Sequence, residues 1–498
     1  MVSIVFSFGE LSAAKVVGVL FLATLTFWFL RAIYYVFLHP LRNYPGPKLW
    51  AASRIPWNYY NMKGRGSWRI RELHEKYGLV VRIAPDELSY TTSTAWKKIY
   101  GQKTPEFGKC LDGRGIAPTS VNGVKSMMTE EQDRHGRLRR AILPAFSERG
   151  VREQEGFLQR YTDKMVEQLR KRCAEPQNMT KWYSLVAFDV VSDLAFGQAS
   201  GCLDNADQPW LQVIGARAKS LVWFQMLMQL GLEPYMDRIM PKWAAEARKK
   251  HLKLTGEKVN ARIARGAEDR KDFMSYILDS KTENLNNTEL VIMASTFIVA
   301  GSGTAAGGMS GITFLLCQNP DKYRKLCDEI RSTFTRQEDI TIQATSHCEY
   351  LKAVIDEGLR MYPPTPSTLP RWVPKGGQEI DGKYVPGGIA VGVNQFTAGS
   401  VEWNFKHARS FIPERWLESA KDTEFAHDDR AAIQPFSYGP RSCIGKNMAY
   451  AEMRMVLAKL LLNFDFEMLP EQDEWWVKQG TYLVWEKLPL LVKLHARI

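Results

Sequence analysis

Apolar residues recur at three- and four-residue intervals along most of the chain, the spacing that lines one face of an α-helix. The pattern predicts helices over residues 68–77, 132–146, 152–172, 182–196, 242–268, 288–316, 320–333, 347–361 and 446–462. Strand signals are fewer. Residues 80–83 and 88–90 alternate and are partly β-branched, and 483–485 with 490–494 read as a C-terminal hairpin. The fold expected is mainly α with a small β portion. With no low-complexity linker or internal repeat, residues 48–498 read as one large domain.

One stretch departs from amphipathic patterning. Val16 to Leu30 carries no charge, Lys15 and Arg31 flank it, and apolar residues continue to Leu38. About 20 apolar residues span a bilayer, so residues 1–38 are expected to form an N-terminal transmembrane anchor; the alternative is a buried core helix. Arg31, Arg42, Lys48 and Arg54 follow the span, whereas only Lys15, offset by Glu10, precedes it. That asymmetry puts the bulk of the chain in the cytoplasm. Residues 39–47, HPLRNYPGP, hold three prolines that cannot continue a helix and read as a stiff hinge. The sequons at Asn178 and Asn286 are then accidental.

Composition narrows the classes. Of 498 residues, 45% are hydrophobic and 24% charged, which excludes a disordered or fibrous chain. Lys plus Arg number 66 against 54 acidic residues, a net charge of +12. The basic residues form only short clusters, such as Arg137, Arg139 and Arg140, so nucleic acid is not expected as a partner. Seven cysteines without a CxxC pair argue against a disulfide framework and a zinc cluster.

The most informative string is FSYGPRSCIG, Phe436 to Gly445, just before a run of helix formers. A cysteine at a helix start receives backbone N–H groups and the positive end of the macrodipole, which favours a thiolate and hence metal ligation. Gly439 and Gly445 let the backbone approach a flat, bulky group, and Arg441 offers charge to an anion. A lone cysteine there is otherwise a buried structural residue.

The complete F-x-x-G-x-R-x-C-x-G string resembles the haem-binding signature of the cytochrome P450 family. Further matches extend over most of the chain: Glu357-Gly-Leu-Arg360, the segment 411–416 with Arg415, Ala300-Gly301-Ser302-Gly303-Thr304, and His135-Gly-Arg-Leu-Arg139. The string from His39 to Pro47 is similar to filamentous-fungal members of secondary metabolism, including isotrichodermin hydroxylase-like enzymes.

The resemblance implies the P450 fold and a haem b cofactor with Cys443 as the metal ligand. It implies propionate partners in His135, Arg139, Arg371 and Arg441, Phe436 beside the thiolate, and Thr304 as the catalytic hydroxyl. Glu357, Arg360 and Arg415 are implied as structural support. A lipophilic small-molecule substrate is expected in a pocket drawn from segments 107–128, 210–235, 297–304, 365–369 and 480–482. Trp223, Phe224, Met226 and Met228 either cap that pocket, touch the membrane or pack as plain core. No dinucleotide-binding fingerprint occurs, so O2 chemistry is expected to draw electrons from NADPH through a separate NADPH-cytochrome P450 reductase at the endoplasmic reticulum membrane.

The chain departs from the family's A-G-x-[D/E]-T-[T/S] pattern at two positions, Gly303 and Ala305, which removes the usual acid and the second hydroxyl. Gly301, Gly303, Gly307 and Gly308 cluster there, and a local helix distortion is expected. Ser302 is a poor substitute for the acid, since it lies about 100° around the helix. A haem-thiolate monooxygenase is the leading reading. Alternatives are oxidative coupling or rearrangement without oxygen insertion, a non-catalytic haem sensor, and a tethered binding module without haem.

Overall fold

A computed structural model describes residues 13–115, 120–121, 124–205, 217–239, 242–266, 270–278 and 285–497. The longer helices are α1 (Ala13–Ile33), α2 (Gly66–Tyr77), α3 (Ser93–Gly101), α4 (Gln132–Phe146), α5 (Glu155–Arg170), α6 (Met179–Phe196), α7 (Arg217–Gln229), α8 (Lys242–Ala264), α9 (Asn287–Gln318), α10 (Pro320–Thr333), α11 (Glu349–Met361) and α12 (Lys446–Asn463). The strands that matter here are β1 (Val80–Ala84), β2 (Glu87–Tyr90), β3 (Gly108–Lys109), β4 (Gln177–Asn178), β5 (Arg371–Trp372), β6 (Ala390–Val393), β7 (Phe464–Met468) and β8 (Leu491–Ala496).

Helix α9 is the axis of the main core. Met293, Ile298, Ala306, Met309 and Ile312 are buried on it, and α6, α8, α11 and α12 pack around it. Its start is fixed by a capping box: Asn286 accepts from Glu289 N, and the Glu289 carboxylate accepts from Asn286 N. Asn178 caps α6 by accepting from Lys181 N. Both sequon asparagines therefore terminate helices. No distortion marks the glycine cluster, because α9 runs unbroken through it. The glycines admit close neighbours instead: a Cβ on Gly301 would lie 3.0 Å from Val191, and one on Gly311 would overlap the ring of Tyr362.

A five-stranded sheet runs β1-β2-β6-β5-β3, antiparallel except for the parallel β2–β6 pair. Its register sets Lys109 opposite Arg371. The expected C-terminal hairpin is not formed. Strand β8 instead pairs with β7 and β4, and residues 483–485 make only a bridge from Trp485 to Thr481. The backbone groups of β8 are taken instead by Phe464–Met468, opposite Val492–Ala496, and by Gln177–Asn178, opposite Leu491–Val492. The helix expected over 152–172 also divides, breaking at Gln154, whose amide donates to the Ala145 carbonyl at 3.0 Å. Ser147 caps the short helix before the break.

Helix α1 is exposed, and Lys15–Leu38 is apolar enough to cross a membrane, with mean hydropathy 2.1. The segment that follows is not simply extended. Pro40–Asn43 form a 3-10 turn, with Leu41 buried. Buried Arg82 of β1 ties it down, donating to the Tyr35 carbonyl at 2.9 Å and meeting His39 Nδ1 at 3.3 Å. Desolvation, then the Arg82 charge, holds the His39 pKa below its ordinary value.

Candidate active site

The loop before α12 is built around close backbone approaches. Gly439 has φ +75°, and a Cβ there would overlap the carbonyl of Tyr100 on α3. Only glycine accepts both conditions. The loop closes on itself as Cys443 N donates to the Phe436 carbonyl at 2.7 Å. Phe436 packs on Tyr450 with ring centroids 5.3 Å apart, and Tyr450 donates to Asp356 at 2.6 Å, which joins the loop to α12 and α11. Arg139 braces the other side, donating to the Ser442 carbonyl at 2.7 Å.

Cys443 is exposed, although protein surrounds much of its side chain. Burial raises its thiol pKa above the ordinary value, and the Gly445 N–H and Arg139 offset this only in part. The net direction is opposite to that expected from the helix start, because desolvation outweighs those two favourable contacts. A bound metal reverses it, since a coordinating thiol is deprotonated.

Beside the loop lies a knot of basic groups. Arg441 donates to the Glu130 carbonyl at 2.9 Å and pairs with Glu106. Arg371 is buried on β5, its guanidinium 5.5 Å from the Tyr100 ring centroid. Lys109, its cross-strand partner, donates to the Met128 carbonyl. His135 is buried on α4. These groups act on one another. Desolvation, then Arg371 and Arg441, lowers Lys109 to about 7. Desolvation, then Arg441, Lys109, Arg139 and Arg371, lowers His135 to about 3, so the imidazole is neutral. Glu106 alone offsets that charge among the groups acting on Lys109. A ligand bearing two carboxylates would neutralise the excess, and guanidinium forks suit carboxylates. Basic groups suited to two carboxylates beside a thiol in a glycine-lined loop fit haem, which bears two propionates and takes a cysteine thiolate on its iron. Lys109 was not singled out in the sequence. Its signal was a lysine inside the apolar run Phe107–Cys110, which becomes meaningful only through the β3–β5 register.

Thr304 lies on α9 with its hydroxyl donating to the Ala300 carbonyl at 2.7 Å. Ser302 is buried and turned elsewhere, donating to the Ile298 carbonyl. The structure thus gathers Cys443, Phe436, Arg139 and Arg441 at the loop, sets Arg371 and His135 around the basic knot, and leaves Thr304 on α9.

Other expected lining residues divide. Phe297 packs in the core against Phe273 and Phe146, at 5.5 and 5.8 Å. Residues 480–482 are held by Thr481 N donating to the Gly64 carbonyl at 2.7 Å. Residues 116–119, 122–123 and 210–216 lie outside the described residues. On α7, Met228 is buried while Trp223 is 55% exposed, so the expected apolar cluster splits between core and surface. Gln225 and Gln229 hold α7 to the carbonyls of Gly115 and Gly113.

Behind the site, Glu357, Arg360 and Arg415 are wholly buried together. Both Glu357 oxygens accept from Arg360 at 2.7 Å, and Arg415 adds a bond at 3.2 Å. Ile412 N and Trp416 Nε1 donate as well, at 2.9 Å each. Burial alone would raise the Glu357 pKa, but Arg360 and then Arg415 hold it below the usual carboxylate value.

Comparison with known proteins agrees with this geometry. Residues 45–494 match the family model described as cytochrome P450. The chain is 61% identical over 466 residues to cytochrome P450 monooxygenase alt3 of Alternaria solani, covering 93% of this chain and 91% of the relative. It is 51% identical to cytochrome P450 monooxygenase alt1 of the same organism, covering 96% and 93%. It is 39% identical to averantin hydroxylase of Dothistroma septosporum, covering 98% and 94%. The chain belongs to the cytochrome P450 family and is a cytochrome P450 monooxygenase.

Proposed function

We propose that the protein is a membrane-anchored haem-thiolate monooxygenase that oxidises a lipophilic small molecule in fungal secondary-metabolite biosynthesis. The single observation that carries the reading is Cys443, enclosed in its glycine-shaped loop next to a basic knot with an excess of positive charge. Cys443 would ligate the iron, and Arg371, Arg441, Arg139 and neutral His135 would receive the propionates, with Lys109 beside them. Bound haem supplies the oxidising chemistry, its thiolate favouring O–O cleavage. The chain's own residues hold the loop, neutralise the carboxylates, exclude water and offer the Thr304 hydroxyl on the distal side.

Residues 1–38 serve as a single-pass anchor in the endoplasmic reticulum membrane, 39–47 as the hinge, and 48–498 as the cytoplasmic catalytic domain. Trp223, Leu230, Tyr235 and Ile239 are 44–60% exposed and give a second apolar contact for that membrane. Electrons come from NADPH through a separate reductase. Nucleic acid has no part in this account. A second reading, oxidative coupling or rearrangement without oxygen insertion, is favoured by one observation: position 303 is glycine and offers no acid. Expression with a reductase and NADPH under 18O2, followed by mass analysis of products, separates the two. Label in the product supports oxygenation, and an unlabelled oxidised product supports coupling.

A further inference from the structure

Gly303 leaves a gap on α9, and one group fills the space in front of it. Among the described residues, and apart from its chain neighbours and the helix's own nearby backbone, the one atom within 4 Å of a Cβ placed at Gly303 is Lys487 Nζ, at 3.8 Å. Among the described residues, and apart from the same exclusions, nothing lies within 4 Å of a Cβ at Gly307, one turn further on. Between them sits a cavity of about 10 Å³ lined by Thr180, Gly303, Gly307, Ser310, Trp485 and Lys487. Roughly 10–15 Å³ holds one water, and such a water needs two or more polar partners. Two are present. Thr180 Oγ1 is buried with no hydrogen-bond partner. Lys487 Nζ has, among the described residues, only Ser184 Oγ, at the long distance of 3.5 Å.

We propose that Lys487 is a proton-holding positioning residue of the distal site, passing protons through one water shared with Thr180 into the groove that Gly303 and Gly307 open in α9. The inference rests on the haem-thiolate reading. It removes the need for an acid at position 303, because the titratable group enters from the opposite wall. In each transfer Nζ gives one proton to the water, and the water gives one through the groove to a basic oxygen acceptor bound in the distal site. The neutral amine then regains a proton from solvent, and no electron changes hands.

The surroundings suit that role. Ser184 and Thr180 face the ammonium from α6, and Gly303, Gly307 and Ser310 from α9. The Ser310 hydroxyl is occupied by the Ala306 carbonyl. Trp485 donates to the Pro363 carbonyl, Tyr362 donates to Gln479, and the neighbouring Glu486 accepts from Gly480 N. No charged side chain among the described residues acts on Lys487. The Lys487 side chain as a whole is exposed, which lets it regain a proton from solvent, while the protein packed around Nζ desolvates it and lowers its pKa to about 8, near the range in which a group can both give and regain a proton.

The test uses the full-length haem-loaded protein with reductase and NADPH. The ratio of hydrogen peroxide released to NADPH consumed is followed from pH 6.5 to 9.5, so no substrate is required. Peroxide should rise severalfold in the wild type as pH passes through about 8. Lys487→Met should release the higher level at every pH. Lys487→Arg keeps the charge but not the exchangeable proton, and should also lack the step. Thr180→Val should raise peroxide with Lys487 intact. A second readout is independent of turnover: Gly303→Glu should raise the thermal midpoint more in the wild type than in Lys487→Met, because the new carboxylate meets the ammonium. Identical pH profiles for wild type and Lys487→Met, with the thiolate-type Soret band intact in both, overturn the Lys487 proposal alone. Absence of that band from the wild type overturns the haem-thiolate reading beneath it.

Discussion

Arg139 Nη1 donates to the carbonyl of Ser442 at 2.7 Å, which ties α4 to the residue immediately before Cys443. The same guanidinium also reaches Ser442 Oγ at 3.4 Å. A charge-assisted bond of this kind contributes about 1.5–3 kcal/mol. Arg139→Met should therefore lower haem content and the thermal midpoint together, while Arg139→Lys should recover part of both. Haem-to-protein absorbance ratios after purification check this.

Gly439 is the most constrained point of the loop. Its φ of +75° and its approach to the Tyr100 carbonyl leave no room for a side chain. Gly439→Ala should displace the loop and reduce haem retention severely. Gly388, with φ +79° but open space around it, should tolerate alanine better. Paired expression and haem titration of the two variants compare close packing with backbone strain alone.

The Glu357–Arg360–Arg415 cluster makes a stability prediction. Removing one partner of a buried ion pair costs about 3–5 kcal/mol, since the remaining charges stay buried. Glu357→Ala strands Arg360 and the Ile412 and Trp416 donors, and leaves Arg415 with Asp428 as its one carboxylate partner among the described residues. It should prevent recovery of folded, haem-loaded protein. Glu357→Gln, which keeps the shape and some acceptors, should fall between. Denaturant unfolding followed by tryptophan fluorescence reads the order.

Glu452 lies buried on α12, and its Oε1 has no hydrogen-bond partner. Burial raises its pKa from 4.5 to about 8. The folded chain then binds more protons than the unfolded chain between those values, so this contribution to stability falls as pH rises from 4.5 to 8. Glu452→Gln removes the dependence. It should stabilise the protein at pH 8 by on the order of 4 kcal/mol and change little near pH 4.5. Thermal midpoints across that window supply the measurement.

Much of this architecture is legible in periodicity. Helices α4 and α10 begin and end where the apolar spacing and flanking residues place them, because Pro320 opens one and the apolar face of the other is continuous. Long-range pairing is less accessible. The apolar, β-branched character of residues 490–494 marks a strand, yet says nothing about its partner, and the strand chose β7 over its sequence neighbour. The thiolate loop is legible because a compact string carries all its constraints. Lys109 and Lys487 are not, because each acquires meaning from a residue far along the chain, Arg371 across the sheet and Gly303 across the cavity.

The central claim is that Cys443 binds the haem iron as thiolate. The direct measurement is the absorption spectrum of the reduced carbon-monoxide complex, for wild type and for Cys443→Ser. The account predicts a strongly red-shifted Soret band in the wild type and its loss in the variant. A red-shifted band that survives unchanged in Cys443→Ser would contradict it.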